Sequence, residues 1–183
     1  MLETNKSKFN HLKVHTQYSI CEGAVKIDNL KEFCKDKKIQ SVGMCDTSNL
    51  CGALEFAENI SKVGTQPIIG TQINFKNKDT IGLIPLLALN ENGYKKIIEL
   101  SSKSYLENES LSDPHVDISE LYNNVDGVLI LSGGVNGFFG KLFDKGRFDE
   151  ITKIYTKLLS IFNDRFYLEI QRHGDQNEAL FEK

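Results

Sequence analysis

Strands alternating with helices along the chain predict an α/β fold, a mostly parallel sheet with helices packed outside it. Three observations carry that reading. Apolar residues recur at helical spacing over 27–34, 94–105 and 151–162. Short runs rich in Val, Ile and Leu stand between them, at 41–46, 68–75, 81–89 and 128–131. Polar turns and Gly or Pro separate the two kinds of segment.

Taken in order, 9–15 and 41–46 are expected strands. Between them Ile27, Leu30, Phe33 and Cys34 form one helical stripe opposite lysines and acids, which makes a βαβ unit. A helix over about 51–63 is expected to turn Leu54, Ala57 and Ile60 inward; Gly64 stops it and Pro67 opens the strand 68–75. Asn77 to Asp79 is turn material before a buried strand at 81–89. A helix over about 91–106 follows, with Tyr94, Ile97, Ile98 and Tyr105 near one stripe. The polar stretch 107–116 has no apolar period and is expected to be a mobile surface loop. After the strand 128–131, Ile151, Ile154, Tyr155, Leu158, Leu159 and Phe162 give the strongest amphipathic pattern in the chain, and 166–170 is the last expected strand.

At 183 residues the chain suits one domain with a sizeable core, spanning 1–183. No stretch approaches the ~20 apolar residues that span a bilayer, and Met1 to Lys8 is polar, unlike a signal peptide. A cytoplasmic chain with no membrane partner is expected. Four cysteines, at 21, 34, 45 and 51, form no C-x-x-C pair and sit among apolar neighbours, so buried, reduced thiols are expected. The net charge of -3 gives the chain no electrostatic reason to grip a polyanion, so DNA would be held mainly elsewhere.

The segment His11-Leu12-Lys13-Val14-His15-Thr16, with Glu22-Gly23 behind it, has the outline of a strand-end metal motif. Further blocks follow: Asp46-Thr47-Ser48-Asn49-Leu50, then Gln66-Pro67-Ile68-Ile69-Gly70, Leu89-Asn90 with Gly93-Tyr94, Gly127 to Gly133, and Phe166 to Gly174. In this order and spacing they resemble the PHP (polymerase and histidinol phosphatase) domain found at the N-terminus of the alpha subunit of bacterial DNA polymerase III. The resemblance covers nearly the whole chain. It implies a distorted (β/α)7 barrel, a choice that periodicity alone does not make. It also implies an incomplete barrel, because that family places its last metal-binding strand beyond the equivalent of Lys183.

In active members of that family, strand-end histidines and carboxylates bind metal ions that polarise a phosphate ester and deprotonate a water. By the resemblance, His15, Glu22, Asp46 and His173 fall on ligand-type positions. Lys13, Thr47 and Gln72 replace a His, a His and a Glu. An ammonium has no lone pair and carries positive charge where a divalent ion would sit, so these positions imply a vestigial site with no metal and no catalytic residue. Lys13 is expected to hold Glu22 or Asp46 across the rim. The loop Gly133 to Lys141 fails the P-loop spacing and is expected to be a strand-to-helix turn.

The resemblance therefore implies a structural and docking piece of a replicative polymerase, with the polymerase palm absent. Magnesium would serve only the parent enzyme. The implied partners are the remainder of the alpha subunit and the proofreading exonuclease subunit, with DNA reached only through the parent. The alternative is a stand-alone metal-dependent phosphoesterase or exonuclease that recruits His11, Glu22, Asp46 and His173.

Overall fold

The computed structural model describes residues 9–108, 113–174, 176 and 178–182. The polar N-terminus 1–8 and residues 109–112 of the expected mobile loop lie outside the described residues. Flanking that loop, the Asn108 amide donates to the carbonyls of Ser104 (2.8 Å) and His115 (2.6 Å).

The elements run α1 (Ile27–Lys37), β1 (Ser41–Thr47), α2 (Ala53–Ser61), β2 (Gln66–Asn77), β3 (Thr80–Ala88), α3 (Glu91–Leu106), β4 (Val116–Asp117), β5 (Val128–Leu131), α4 (Phe138–Asp144), α5 (Phe148–Phe162), β6 (Phe166–Tyr167) and α6 (Glu178–Phe181). The sheet order is β1-β2-β3-β5-β6, with β4 pairing beside β2. It does not close among the described residues, as the incomplete α/β barrel requires. No described helix is long and apolar enough to cross a membrane.

The sheet is mixed rather than mostly parallel. β1 with β2, β2 with β4 and β5 with β6 are parallel, but β3 runs antiparallel to both β2 and β5. The cause is the length of the link: Asn77 pairs with Thr80, leaving only Lys78 and Asp79 to reverse the chain, with Lys78 at φ 55. A parallel connection needs a dozen residues or more. The expected strand at 9–15 is a looser segment. It lies along the outer side of β1 through Gly43 N–H to His11 O (2.7 Å), Val14 N–H to Gly43 O (3.0 Å) and Cys45 N–H to Val14 O (2.8 Å). The strand expected over 166–170 pairs only through Phe166 and Tyr167.

Two apolar clusters form the core. Ile27, Met44, Phe56 and Ile60 lie in the one that joins α1 and α2 to β1. Ile73, Phe75, Ile84, Phe138 and Phe162 lie in the larger one under α3, α4 and α5. Each such side chain contributes about 1.5–3 kcal/mol on burial. In α2 the inward face is Ala53, Phe56 and Ile60, while Leu54, expected inward, is 73% exposed. Ile60 belongs to both stripes, and burial of the larger Phe56 side chain favours the one that leaves Leu54 outside.

The Leu89-Asn90-x-x-Gly93 block has a mechanical reason. Asn90 caps α3 by accepting from Gly93 N–H at 3.0 Å. A Cβ on Gly93 would lie 1.8 Å from Gly127 O, so glycine is what lets the helix start press against the turn before β5.

Candidate functional site

Parallel pairing brings the C-terminal ends of the 9–16 segment and β1 to one rim, beside the middle of β2, with Asp46 opposite Thr71 and Thr47 opposite Gln72. Gly43 makes the approach of the first segment possible, since a Cβ there would sit 2.5 Å from Leu12 O. At this rim the seven positions singled out in the sequence divide into two adjoining groups.

In the first group, Asp46 is fully buried. Its Oδ1 accepts from Thr16 N–H (2.6 Å) and Ser19 Oγ (2.8 Å), and its Oδ2 accepts from Thr16 Oγ1 (2.6 Å). Beside it the Thr47 hydroxyl donates to Glu22 and accepts from Gln72 Nε2 at 2.7 Å. Both carboxylates are thus held by hydroxyl or backbone donors.

In the second group, Lys13, His15, Gln72, Gln171 and His173 line one pocket of about 210 Å³ with the glycine turn at 133–137. That turn joins β5 to α4 as expected from its spacing, and it also walls the pocket. His173 is positioned through its backbone N–H, which donates to Glu178 Oε1 at 2.6 Å. Thr47, hydrogen-bonded to Gln72, connects the two groups.

Lys13 pairs with neither Glu22 nor Asp46. Its Nζ lies 3.0 Å from Glu169 Oε1, with the two side chains 18% and 13% exposed. Gln171 Nε2 donates to the same carboxylate oxygen. Glu22 and Asp46 are engaged elsewhere, and the curl of the sheet carries Glu169 to Lys13. Sequence reasoning missed Glu169 as a site residue, although it sits inside the Phe166 to Gly174 block.

Two of the seven positions have no free lone pair to offer a metal ion. Lys13 offers no lone pair, and both Asp46 oxygens already accept hydrogen bonds. Among the described residues no group of three or more His, Cys, Asp or Glu side chains is placed to hold one. Two lone-pair atoms at or beside the rim remain open: His15 Nδ1 and Glu169 Oε2 are buried without a hydrogen-bond partner.

The thiols depart from expectation. Cys34 and Cys45 are buried, but Cys21 and Cys51 are exposed, and all four are free. Burial pushes the Cys45 thiol up to about 12. Near the rim, the Tyr18 hydroxyl donates to Glu55 at 2.5 Å, and that bond raises it above the usual phenol range.

Comparison with known proteins places this geometry. The model of the PHP domain family matches residues 11–173. The DNA polymerase III subunit alpha of Caulobacter vibrioides is 34% identical across 100% of this chain and 17% of its own length. The same subunit from Borreliella burgdorferi is 33% identical across 96% of this chain and 16% of its own, and that from Thermus aquaticus 34% identical across 93% and 15%. The chain therefore spans less than a fifth of the curated relatives it matches. Among solved structures, a candidate metal-dependent phosphoesterase from Bifidobacterium adolescentis superposes with a TM-score of 0.59 at 12% identity, covering 96% of this chain and 82% of that one. That likeness shows the fold.

Proposed function

We propose, for a chain that belongs to the PHP domain family, a structural and docking role within a replicative DNA polymerase, with no hydrolysis at its own rim. The chain is homologous to the N-terminal region of DNA polymerase III alpha subunits. The observation that carries the docking reading is the self-satisfied rim. Lys13 is spent on Glu169, Asp46 on Thr16 and Ser19, and one Glu22 oxygen on Thr47, so three of the seven rim positions are engaged within the protein itself.

In this reading primer extension belongs to the rest of the alpha subunit, which would hold magnesium in its own palm. The PHP portion offers surface to that remainder and to the proofreading exonuclease subunit. DNA is met only through the assembled enzyme, in the cytoplasm. A separate exonuclease subunit makes hydrolysis by this domain dispensable, which explains how Lys13 is tolerated.

The test is a pair of measurements on the purified chain. Incubated with manganese or zinc, it should release no nitrophenol from p-nitrophenyl phosphate and shorten no single-stranded DNA. Mixed with the exonuclease subunit of the same organism, it should co-elute on size exclusion. Hydrolysis that disappears in Glu22→Gln would instead establish the phosphoesterase reading, whose one supporting observation is the unpartnered Nδ1 of His15.

A further inference from the structure

The two ends of the sheet carry unlike chemistry toward each other. At one end the 9–16 segment is bonded to β1; at the other, β6 is bonded to β5. Among the described residues no backbone hydrogen bond joins these two outer strands. Lys13 immediately precedes Val14, which bridges to Met44 of β1, and Glu169 lies two residues past Tyr167 of β6. Their side chains meet at 3.0 Å across 156 residues of sequence.

The contact is prepared from both sides. Glu169 N–H donates to Ser132 Oγ at 2.9 Å, and Ser132 N–H donates to Tyr167 O at 2.9 Å, which ties the carboxylate's backbone to the end of β5. Val14 is held to Gly43 and Cys45 by backbone bonds on the other edge. A charge-assisted bond between two such anchored, largely buried groups is stronger than a surface pair, whose side chains must first be ordered.

The pair also divides two spaces. Lys13 lines the rim pocket of about 210 Å³ and also a slot of about 670 Å³ between the 9–13 segment and residues 167–170, floored by Leu129 and Leu131. Glu169 lines the slot as well, and its Oε2 and the Oδ1 of Asn10 are buried there without partners.

We infer that Lys13 and Glu169 form a latch that holds the two open edges of the sheet together and separates the rim pocket from the apolar slot behind it. The ammonium thereby links, by one ion pair, two segments at opposite ends of the sheet. Unlatching frees both edges at once, because each is fastened by backbone bonds to its own neighbour and this ion pair is the polar contact that joins the two. The inference does not depend on the docking role proposed above.

Amide hydrogen exchange on the full chain tests it. Lys13→Met and Glu169→Gln should each speed exchange at least about 10-fold at both edges, read at Val14 and Cys45 on one side and Ser132 and Glu169 on the other. Amides inside α5, such as Ile154 and Leu158, should keep wild-type rates. Lys13→Arg, which keeps the charge, should stay near wild type, and the exchange of charges, Lys13→Glu with Glu169→Lys, should recover protection at both edges. Acceleration confined to one edge, or a charge exchange no better protected than the single variants, overturns the latch. If the single neutral variants do not fold, Lys13→Arg and the charge exchange decide: native protection in both supports the latch, and loss of folding in both overturns it.

Discussion

Thr16 holds both oxygens of Asp46, its backbone N–H reaching Oδ1 and its hydroxyl reaching Oδ2, each at 2.6 Å. Ser19 adds a third donor at 2.8 Å, and the carboxylate is fully buried. The buried acid is a knot that ties the 16–19 turn to the end of β1.

Asp46→Asn should therefore destabilise the chain more than it would at an open rim. The amide keeps one acceptor but turns an NH₂ group toward groups that donate, leaving buried polar atoms unpaired at a cost of about 2–3 kcal/mol. Thr16→Val removes one donor to Asp46 and the acceptor of a longer bond from Tyr18 N–H (3.2 Å), and should cost about 1–2 kcal/mol. Urea denaturation of the two variants measures both, and an Asp46→Asn loss smaller than that of Thr16→Val would contradict the account.

Gly93→Ala should cost about 1–3 kcal/mol through overpacking, even though alanine is the better helix former. The added methyl would meet Gly127 O at 1.8 Å, and relief requires α3 to lift from the start of β5. Thermal melts would show a lowered midpoint. An unchanged or raised midpoint would mean that the close approach is not needed.

Thiol chemistry should separate the cysteines into two pairs. Cys21 and Cys51 are exposed and should react with Ellman's reagent in the native protein, whereas Cys34 and Cys45 are buried, with burial raising both thiols and Cys45 to about 12. Two equivalents should react at once and the other two only in denaturant. Four fast equivalents would indicate that the α1 face and β1 open readily.

Arg147 should support the fold in a pH-dependent way. Its guanidinium grips both oxygens of Asp79 at the β2–β3 turn, and that hydrogen bond holds the Asp79 carboxyl well below its usual 3.8. A depressed folded-state value contributes stability that is present above 3.8 and is lost as pH falls through the folded value. The difference in melting midpoint between wild type and Arg147→Gln should be constant from neutral pH down to about pH 5 and shrink progressively below about pH 4. A difference that grows on acidification would reverse the sign and refute the assignment. The pair is exposed, so added salt should reduce it at every pH.

Periodicity located α1, α3 and α5 because each buries one stripe and leaves the rest in water, a property written locally in the chain. It misplaced Leu54 because α2 carries two overlapping stripes that share Ile60, and the one containing the larger Phe56 is buried. The antiparallel β2–β3 hairpin was legible in principle: two residues between strands cannot make a parallel crossover. At the rim, Asp46 and Thr47 were readable from their place at the end of β1, and the other singled-out positions from the residue blocks that contain them. Their partners were not readable, since Glu22 and Asp46 looked as available to Lys13 as any other acid.

The sequence by itself determined the order of elements, the residue types at the rim and the family to which the chain belongs, because all three depend on neighbours in the chain or on its pattern. Only the tertiary structure decided that Thr16 and Ser19 occupy Asp46, that Thr47 occupies Glu22, and that Glu169 is the acid facing Lys13. The physical reason is that an ion pair depends on distance in space. Folding of the whole sheet carries residue 169 to residue 13 through no feature of either one's neighbours in sequence.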